Sequence, residues 1–278
     1  MVLAIAGSDP SGGAGVQADI KTCAIIGVYC GAAVTCVTVQ NTRGVQAFVP
    51  LAPRLVKQQI DAVLNDMPVT HVKIGMVGSA AIAEAIASAL ADFSGEIICD
   101  PVLTSSSGTA LIAEAELTAV CDNLYSRVTV LTPNLPELEA LSRQQCSDEK
   151  SLLAAAEILF LSFPSLRVVV VKGGHIAPRQ RTVNDYLFLS QRAQGKGLLV
   201  EKKKHPRIRS ANTHGTGCTF ASAYAAYHLK SGDDLFAFSQ ASNFVSQLVE
   251  KSVSAKLGAG HGPLLHHLLA GSRNENQD

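Results

Sequence analysis

From one end of the chain to the other, short apolar runs alternate with longer alanine-rich stretches of helical period, and few folds accept that order. The runs 2–6, 33–39, 70–75, 96–100, 127–131, 167–172 and 183–189 have the length of strands. Runs such as 2–6 and 168–171 are apolar at consecutive positions, as in strands buried on both faces. Helix-period stretches fill the gaps at about 15–26, 53–66, 79–91, 113–124, 134–143, 149–161, 218–230 and 234–253. Such alternation predicts an α/β fold around a mostly parallel sheet. No proline- or serine-rich linker interrupts it and no repeat is visible, so one domain is expected over 1–271, with a disordered polar tail at 272–278.

A chain of 278 residues with 47% hydrophobic content buries about 75% of its unfolded surface on folding, so its core needs no disulfide or structural metal. The seven cysteines, Cys23, Cys30, Cys36, Cys99, Cys121, Cys146 and Cys218, are scattered singly without Cys-x-x-Cys spacing. That argues against a zinc site or redox pair and for small buried hydrophobes. Charge is balanced at 23 Lys+Arg against 23 Asp+Glu, which leaves no global field to hold a nucleic acid. No apolar run approaches the roughly 20 residues of a membrane span, and the chain opens on a strand-like segment without a leader pattern, so a soluble cytoplasmic protein is expected. The one basic cluster, 201–205 with Arg207 and Arg209, reads either as a solvated strand end or loop or as a patch that attracts phosphate.

Two glycine-rich segments carry most of the chemical information. The first, Gly7-Ser8-Asp9-Pro10-Ser11-Gly12-Gly13-Ala14-Gly15, follows the first strand and precedes a helix, where glycines let backbone N–H groups approach a ligand closely. It contains a formal G-x-G-x-x-A match at Gly13–Ala18, but the acidic residue that holds a ribose about 20 positions on is missing between Val28 and Val39. It is no Walker A loop either, because no Gly-Lys-Ser/Thr closes it. The second, Asn212-Thr213-His214-Gly215-Thr216-Gly217-Cys218-Thr219, opens an alanine-rich helix, so unpaired N–H groups at the positive end of the helix dipole form an anion site. At that position Cys218 is expected to have a lowered thiol pKa and to accept a proton from an attacking hydroxyl; otherwise it is a buried structural cysteine.

Smaller polar islands lie at strand ends: Asp100-Pro101, Thr132-Pro133-Asn134-Leu135-Pro136-Glu137 and Lys172-Gly173-Gly174-His175. In an open parallel sheet the carboxyl ends of the strands face the ligand crevice, so these groups should converge there. Asp100 and Glu137 can hold Mg²⁺ directly or through water, and Lys172 can neutralise phosphate oxygens. Taken singly, Asp100 reads as a cap or turn residue, Glu137 as a first-turn helix acid and Lys172 as a solvated strand end. Gln40 ends a strand at the crevice rim with an amide that offers both a donor and an acceptor, to a ligand or simply to backbone. Met76 reads equally as plain core, and Asp19 as a helix-surface acid.

These segments, with Gln40-Asn41-Thr42, Lys73-Ile74-Gly75-Met76, Asp100-Pro101-Val102 and Gly260-His261-Gly262-Pro263, resemble the hydroxymethylpyrimidine and phosphomethylpyrimidine kinases of thiamine synthesis, in the ribokinase-like superfamily. The resemblance covers nearly the whole chain. It implies a three-layer fold with a central sheet of about eight to nine strands, ATP and Mg²⁺ as cofactors, and a homodimer. By position it implies that Gln40 bonds the aminopyrimidine, Asp19 lies beside the substrate, the Gly7 backbone approaches the hydroxymethyl arm and Met76 packs on the ring. Cys218 then takes the place of the catalytic Asp of related sugar kinases, with Gly215 and Gly217 forming the anion hole. Lys172, Asn134, Thr213 and Gly215 meet the nucleotide, and Asp100 and Glu137 organise Mg²⁺.

One departure is the loop Leu103-Thr104-Ser105-Ser106-Ser107-Gly108, where many members carry a lysine. With its absence, phosphate contacts shift onto Lys172 and the loop backbone. The segments 7–15 and 174–182 are the candidate mobile covers. The chain runs on only briefly past Pro263, which suggests the free-standing kinase rather than one fused to a thiamine-phosphate synthase. The expected reaction is phosphorylation of 4-amino-5-hydroxymethyl-2-methylpyrimidine and then of its monophosphate. Rival readings are a pyridoxal kinase, a nicotinamide-dependent oxidoreductase and a catalytically silent pyrimidine sensor.

Overall fold

The computed structural model describes residues 1–105, 108, 110–175 and 180–270, and in it the apolar runs become strands of one nine-stranded sheet. They are β1 (Val2–Ser8), β2 (Cys30–Asn41), β3 (Gly44–Pro50), β4 (His71–Ile74), β5 (Glu96–Cys99), β6 (Val130–Leu131), β7 (Val168–Val171), β8 (Thr182–Ser190) and β9 (Leu198–Pro206). Across the sheet the order is β3-β2-β1-β4-β5-β6-β7-β8-β9. From β2 to β7 the strands run parallel, while β3, β8 and β9 each join antiparallel to their inner neighbour.

The helices are α1 (Gly15–Ile26), α2 (Pro53–Leu64), α3 (Ala80–Ala89), α4 (Glu114–Asn123), α5 (Leu135–Ser142), α6 (Glu149–Ser162), α7 (Thr216–Ser231), α8 (Asp234–Ser252) and the short α9 (His267–Ala270). They form a layer on each face. Strand side chains alternate between faces, so Val169 and Val171 of β7 join the core under α2 to α6. Val168 and Val170 join the second core under α1, α7 and α8. This two-sided burial is why β7 lacks any polar alternation in sequence. The expected α/β class, the three layers and a mostly parallel sheet of eight to nine strands are what the structure has.

The strands β3 and β9 were not foreseen, and both are edges. Sequence 44–50 carries exposed Val49 and offers no buried run. The lysine cluster that read as a loop or strand end lies within β9, where Lys202 bonds Glu149 at 2.9 Å and Lys203 bonds Ser239 at 3.1 Å. Lysines on an edge strand deter pairing with another sheet. The expected strand at 127–131 shrinks to Val130–Leu131, because Tyr125–Arg127 forms a 3₁₀ turn. The tail 272–278 and residues 176–179 of the expected cover at 174–182 fall outside the described residues, as do Ser106 and Ser107 of the departing loop.

Candidate active site

The chain lays β2 and β3 on one side of β1 and then returns on the other side with β4, so the sheet has its switch point between β1 and β4. Loops leaving the carboxyl ends of strands diverge there and open a crevice. A cavity of about 790 Å³ occupies it and extends along the strand ends to β8 and β9. Gly7, Gln40, Met76, Asp100, Asn134, Glu137, Lys172, Thr213, Gly215, Gly217 and Cys218 all line this one space.

At the β1–β2 end the floor is apolar. Met76 packs with Cys36 and Leu111, and a Cβ on Gly7 would stand 3.1 Å from the Met76 sulfur. Gln40 sits where the β2–β3 register shifts, and its terminal amide lies 3.1 Å from His214 Nε2. That same nitrogen is 2.8 Å from Asp9 Oδ2. Asp9 organises the first glycine-rich segment, accepting from the Ser11 N–H and hydroxyl at 2.9 and 2.7 Å and from the Gly13 and Ala14 N–H groups at 3.1 and 2.8 Å. Burial alone would raise its carboxyl, but these bonds and His214 outweigh it and hold it down at about 2.

The second glycine-rich segment leads into α7 through Gly215, which has φ +84°. A Cβ there would sit 1.9 Å from the Gly13 carbonyl oxygen, so only glycine fits both the left-handed backbone and the contact between the two loops. The N-cap Gly215 has no side chain to cap α7, and among the described residues no backbone carbonyl meets the Gly217 and Cys218 N–H groups, which leaves them for a ligand. Cys218 is in that first turn and half-buried. Its expected lowered pKa is reversed: burial pushes the thiol up to about 11, and the Asp19 and Asp100 carboxylates add to that against Lys73 and the Gly15 N–H. At this position desolvation outweighs the pull of the helix terminus.

Beyond Gly217, whose Cβ would stand 3.0 Å from Asp100 Oδ2 and 3.3 Å from Lys172 Nζ, lies a charged cluster. Lys172 bonds Asp100 at 2.5 Å. Burial would depress the Lys172 ammonium, but Asp100 and Glu137 overcome it and raise its pKa, so it stays charged. Asn134 caps α5 in a reciprocal box, accepting from the Glu137 N–H at 2.9 Å while Glu137 Oε2 accepts from the Asn134 N–H at 2.8 Å. Burial pushes the Glu137 carboxyl up to about 7, opposed by Lys172 and reinforced by Asp100. The Asp100 and Glu137 carboxyl groups lining the cavity are a donor set that suits Mg²⁺, which commonly takes one or two protein carboxylates and completes its shell from water and ligand oxygens.

Asp19 is the exception among the expected residues. It does not line the cavity; its carboxylate is wholly buried, 2.7 and 2.9 Å from Lys73 Nζ and 2.7 Å from the Ser222 hydroxyl of α7. A direct substrate contact is therefore replaced by an ion pair beneath the Cys218 helix. Asp9 and His214 were not among the expected functional residues, although both lie in the two glycine-rich segments. An Asp two residues before Ser and four before Gly is a turn-forming pattern that marks Asp9 as a loop organiser. Lys73 between Val72 and Ile74 of a buried strand was the signal for a buried partner, and Asp19 is that partner.

Residues 9–265 match the family described as phosphomethylpyrimidine kinase. The chain belongs to that family. It is 39% identical over 266 residues to the hydroxymethylpyrimidine/phosphomethylpyrimidine kinase of Bacillus subtilis, covering 95% of this chain and 93% of that one. It is 40% identical to the thiamine biosynthesis bifunctional protein of Geobacter sulfurreducens over 97% of this chain, and spans about half, 52%, of that longer protein. Among solved structures, the Staphylococcus aureus pyridoxal kinase in complex with AMP-PCP and pyridoxal superposes with a TM-score of 0.83 at 27% identity, over 99% of this chain and 95% of that one. The ribokinase-like fold expected of the family member is thus the fold of known kinases.

Proposed function

We propose that this chain is an ATP-dependent phosphotransferase of thiamine biosynthesis acting in the cytoplasm. Its acceptors are 4-amino-5-hydroxymethyl-2-methylpyrimidine and then the monophosphate so formed. The observation that carries the reading is the placement of the uncapped start of α7, with Cys218, between an acceptor end at Gln40 and Met76 and a phosphate end at Lys172, in one cavity. The sequence similarity supports the pyrimidine over the pyridoxal reading, because relatives at 34 to 40% identity carry the pyrimidine kinase or thiamine biosynthesis names. The pyridoxal kinase likeness is at 27%.

In this reading the acceptor ring lies on Met76 with its polar edge at Gln40, and its hydroxymethyl arm points toward Cys218. The apolar wall of Val183, Pro206, Ile208, Val245 and Val249 takes the adenine at the other end of the cavity. Lys172 neutralises phosphate oxygens, and the first-turn N–H groups of α7 at Gly217 and Cys218 stabilise charge on the transferring phosphoryl group. Mg²⁺ would supply further neutralisation of the phosphates, held by Asp100 and Glu137 with intervening water. Cys218 as thiolate accepts the hydroxyl proton while the new oxygen–phosphorus bond forms and the bond from the terminal phosphorus to the departing ADP breaks. In the second transfer the acceptor is an ionised phosphate, and no proton needs to leave. A second copy of the chain is proposed to cover the exposed strip of Val37, Val39 and Val49 on β2 and β3.

The test is ADP release with ATP and Mg²⁺, offering hydroxymethylpyrimidine, its monophosphate and pyridoxal in parallel, each with and without chelator. Turnover of both pyrimidines over pyridoxal, lost with chelator, is expected. Preference for pyridoxal would move the assignment to vitamin B6 salvage, and no turnover of any acceptor would leave a binding protein.

A further inference from the structure

We infer that Asp185 is a positioning residue for Lys172: its carboxylate holds the turn that follows the lysine and so keeps the ammonium aimed at the phosphates of the nucleotide. The inference rests on the phosphotransferase reading above. The antiparallel β7–β8 ladder ends at the pair Val171 and Tyr186, and one step further would set Lys172 opposite Asp185. There the chain turns away into Gly173-Gly174, which brings no side chain with which to fix itself. The buried Gly173 N–H still needs an acceptor, and Asp185 Oδ1 takes it at 2.8 Å. Gly173 also passes so close to β8 that a Cβ would stand 1.9 Å from the Asn184 carbonyl oxygen. On the other side, the Lys172 N–H donates at 3.0 Å to the carbonyl of Pro133, just after β6. The lysine backbone is thus held from both sides, and its ammonium meets Asp100 at 2.5 Å.

Both Asp185 oxygens are engaged. Oδ2 accepts from His205 Nε2 of β9 and from the Ser242 hydroxyl of α8, each at 3.1 Å, and the residue is only 7% exposed. Val183 and Leu187, its neighbours on the same face of β8, are buried apolar residues. A carboxylate placed between them loses its hydration, and donors from three different elements offset that loss. A clamp made for stability alone needs no charge here, since apolar packing would serve as well or better. What the carboxylate adds is a fixed acceptor for the turn on which Lys172 depends.

The experiment measures the Kd of AMP-PCP and of adenosine, with Mg²⁺ and no acceptor, in the wild type, Asp185→Ala, Asp185→Asn, Lys172→Met and the double variant Asp185→Ala with Lys172→Met. Asp185→Ala is expected to weaken AMP-PCP about 10- to 100-fold, the worth of a charge-assisted hydrogen bond, and to leave adenosine within about twofold. In the Lys172→Met background the same change should cost less than about threefold more, because the group it positions is gone. Asp185→Asn keeps an oxygen for the Gly173 N–H and should restore most of the affinity; binding as weak as in Asp185→Ala overturns the inference. An equal loss for both ligands, or losses that add in the double variant, also overturns it, since a merely structural role would not separate phosphate from base. Independently of any variant, the wild-type Gly173 amide should exchange slowly with solvent by NMR, and fast exchange overturns the inference even if Asp185→Ala does not fold. If the wild type binds AMP-PCP no more tightly than adenosine, the phosphotransferase reading fails and the inference with it, a result separate from a wild type that discriminates and variants that do so equally well.

Discussion

The reversed pKa of Cys218 makes the two transfers separable by pH. Its thiol ordinarily titrates near 9.0 and is pushed up to about 11 here. At pH 7 about one molecule in ten thousand therefore carries the thiolate, and each added pH unit raises that fraction about tenfold. Because kcat/KM reports ionisations of the free enzyme, its logarithm for the hydroxymethyl acceptor should climb with a slope near one between pH 7 and 9, about a hundredfold in all. A phosphate monoester has its second pKa near 6, so above pH 7 it is already ionised and the second transfer should be flat over the same range. Replacing Cys218 with alanine keeps the helix start but removes the base. The first transfer should then lose about 10²- to 10⁴-fold and its pH slope, while the second keeps most of its rate. Steady-state ADP release, measured for each acceptor at subsaturating concentration, reads all four profiles. A plateau below pH 8 in the wild type, or equal losses in both transfers, would remove the thiolate from the mechanism.

Three further outcomes test other parts of the structure. Gly215→Ala should cost about 1–2 kcal/mol for its left-handed backbone and more for the 1.9 Å approach to Gly13, with turnover falling over a hundredfold. Gly232→Ala, also at positive φ but with nothing within 4 Å of its Cβ, should show the backbone cost alone in a thermal melt. His71 is held down at about 4, first by burial and then by His228, against 6.5 when unfolded, so between those values only the unfolded chain takes up its proton. Its contribution is intact above pH 6.5 and is lost as pH falls toward 4, about 2 kcal/mol by pH 5. Urea curves of wild type and His71→Gln should converge by that amount on acidification, and parallel curves would refute it. Sedimentation should find a dimer that Val49→Lys weakens; an unchanged mass would exclude β2–β3 as the contact.

What the sequence revealed of the fold followed from burial. Strands covered on both faces, such as Val168–Val171, are written as uninterrupted apolar runs and can be recognised without any contact being known. The edge strands were hidden for the converse reason. One side of β3 and of β9 is solvated, and the lysines that protect β9 from pairing are the residues that make it look like a loop. At β6 the boundary was blurred because Val128 is buried like a strand residue yet follows the 3₁₀ turn Tyr125–Arg127.

The site was legible where chemistry resides in a short segment, as in the glycine-rich opening of α7, and illegible where it depends on groups far apart in the chain. Asp9 and His214 are separated by 205 positions and Lys73 and Asp19 by 54, so neither pair leaves a spacing to find. Each contact also changes the meaning of a residue that was found. Asp19 was expected beside the substrate on the family resemblance alone, yet its burial makes Lys73 its partner and puts the negative charge behind Cys218. Cys218 was expected to be acidic because it starts a helix, yet desolvation and that same buried charge make its thiolate scarce and strongly basic. Gln40 was recognised as an amide at a rim. His214, itself bonded to Asp9, brings that amide against the two loops that form the start of α7, a contact across 174 positions that no spacing announces.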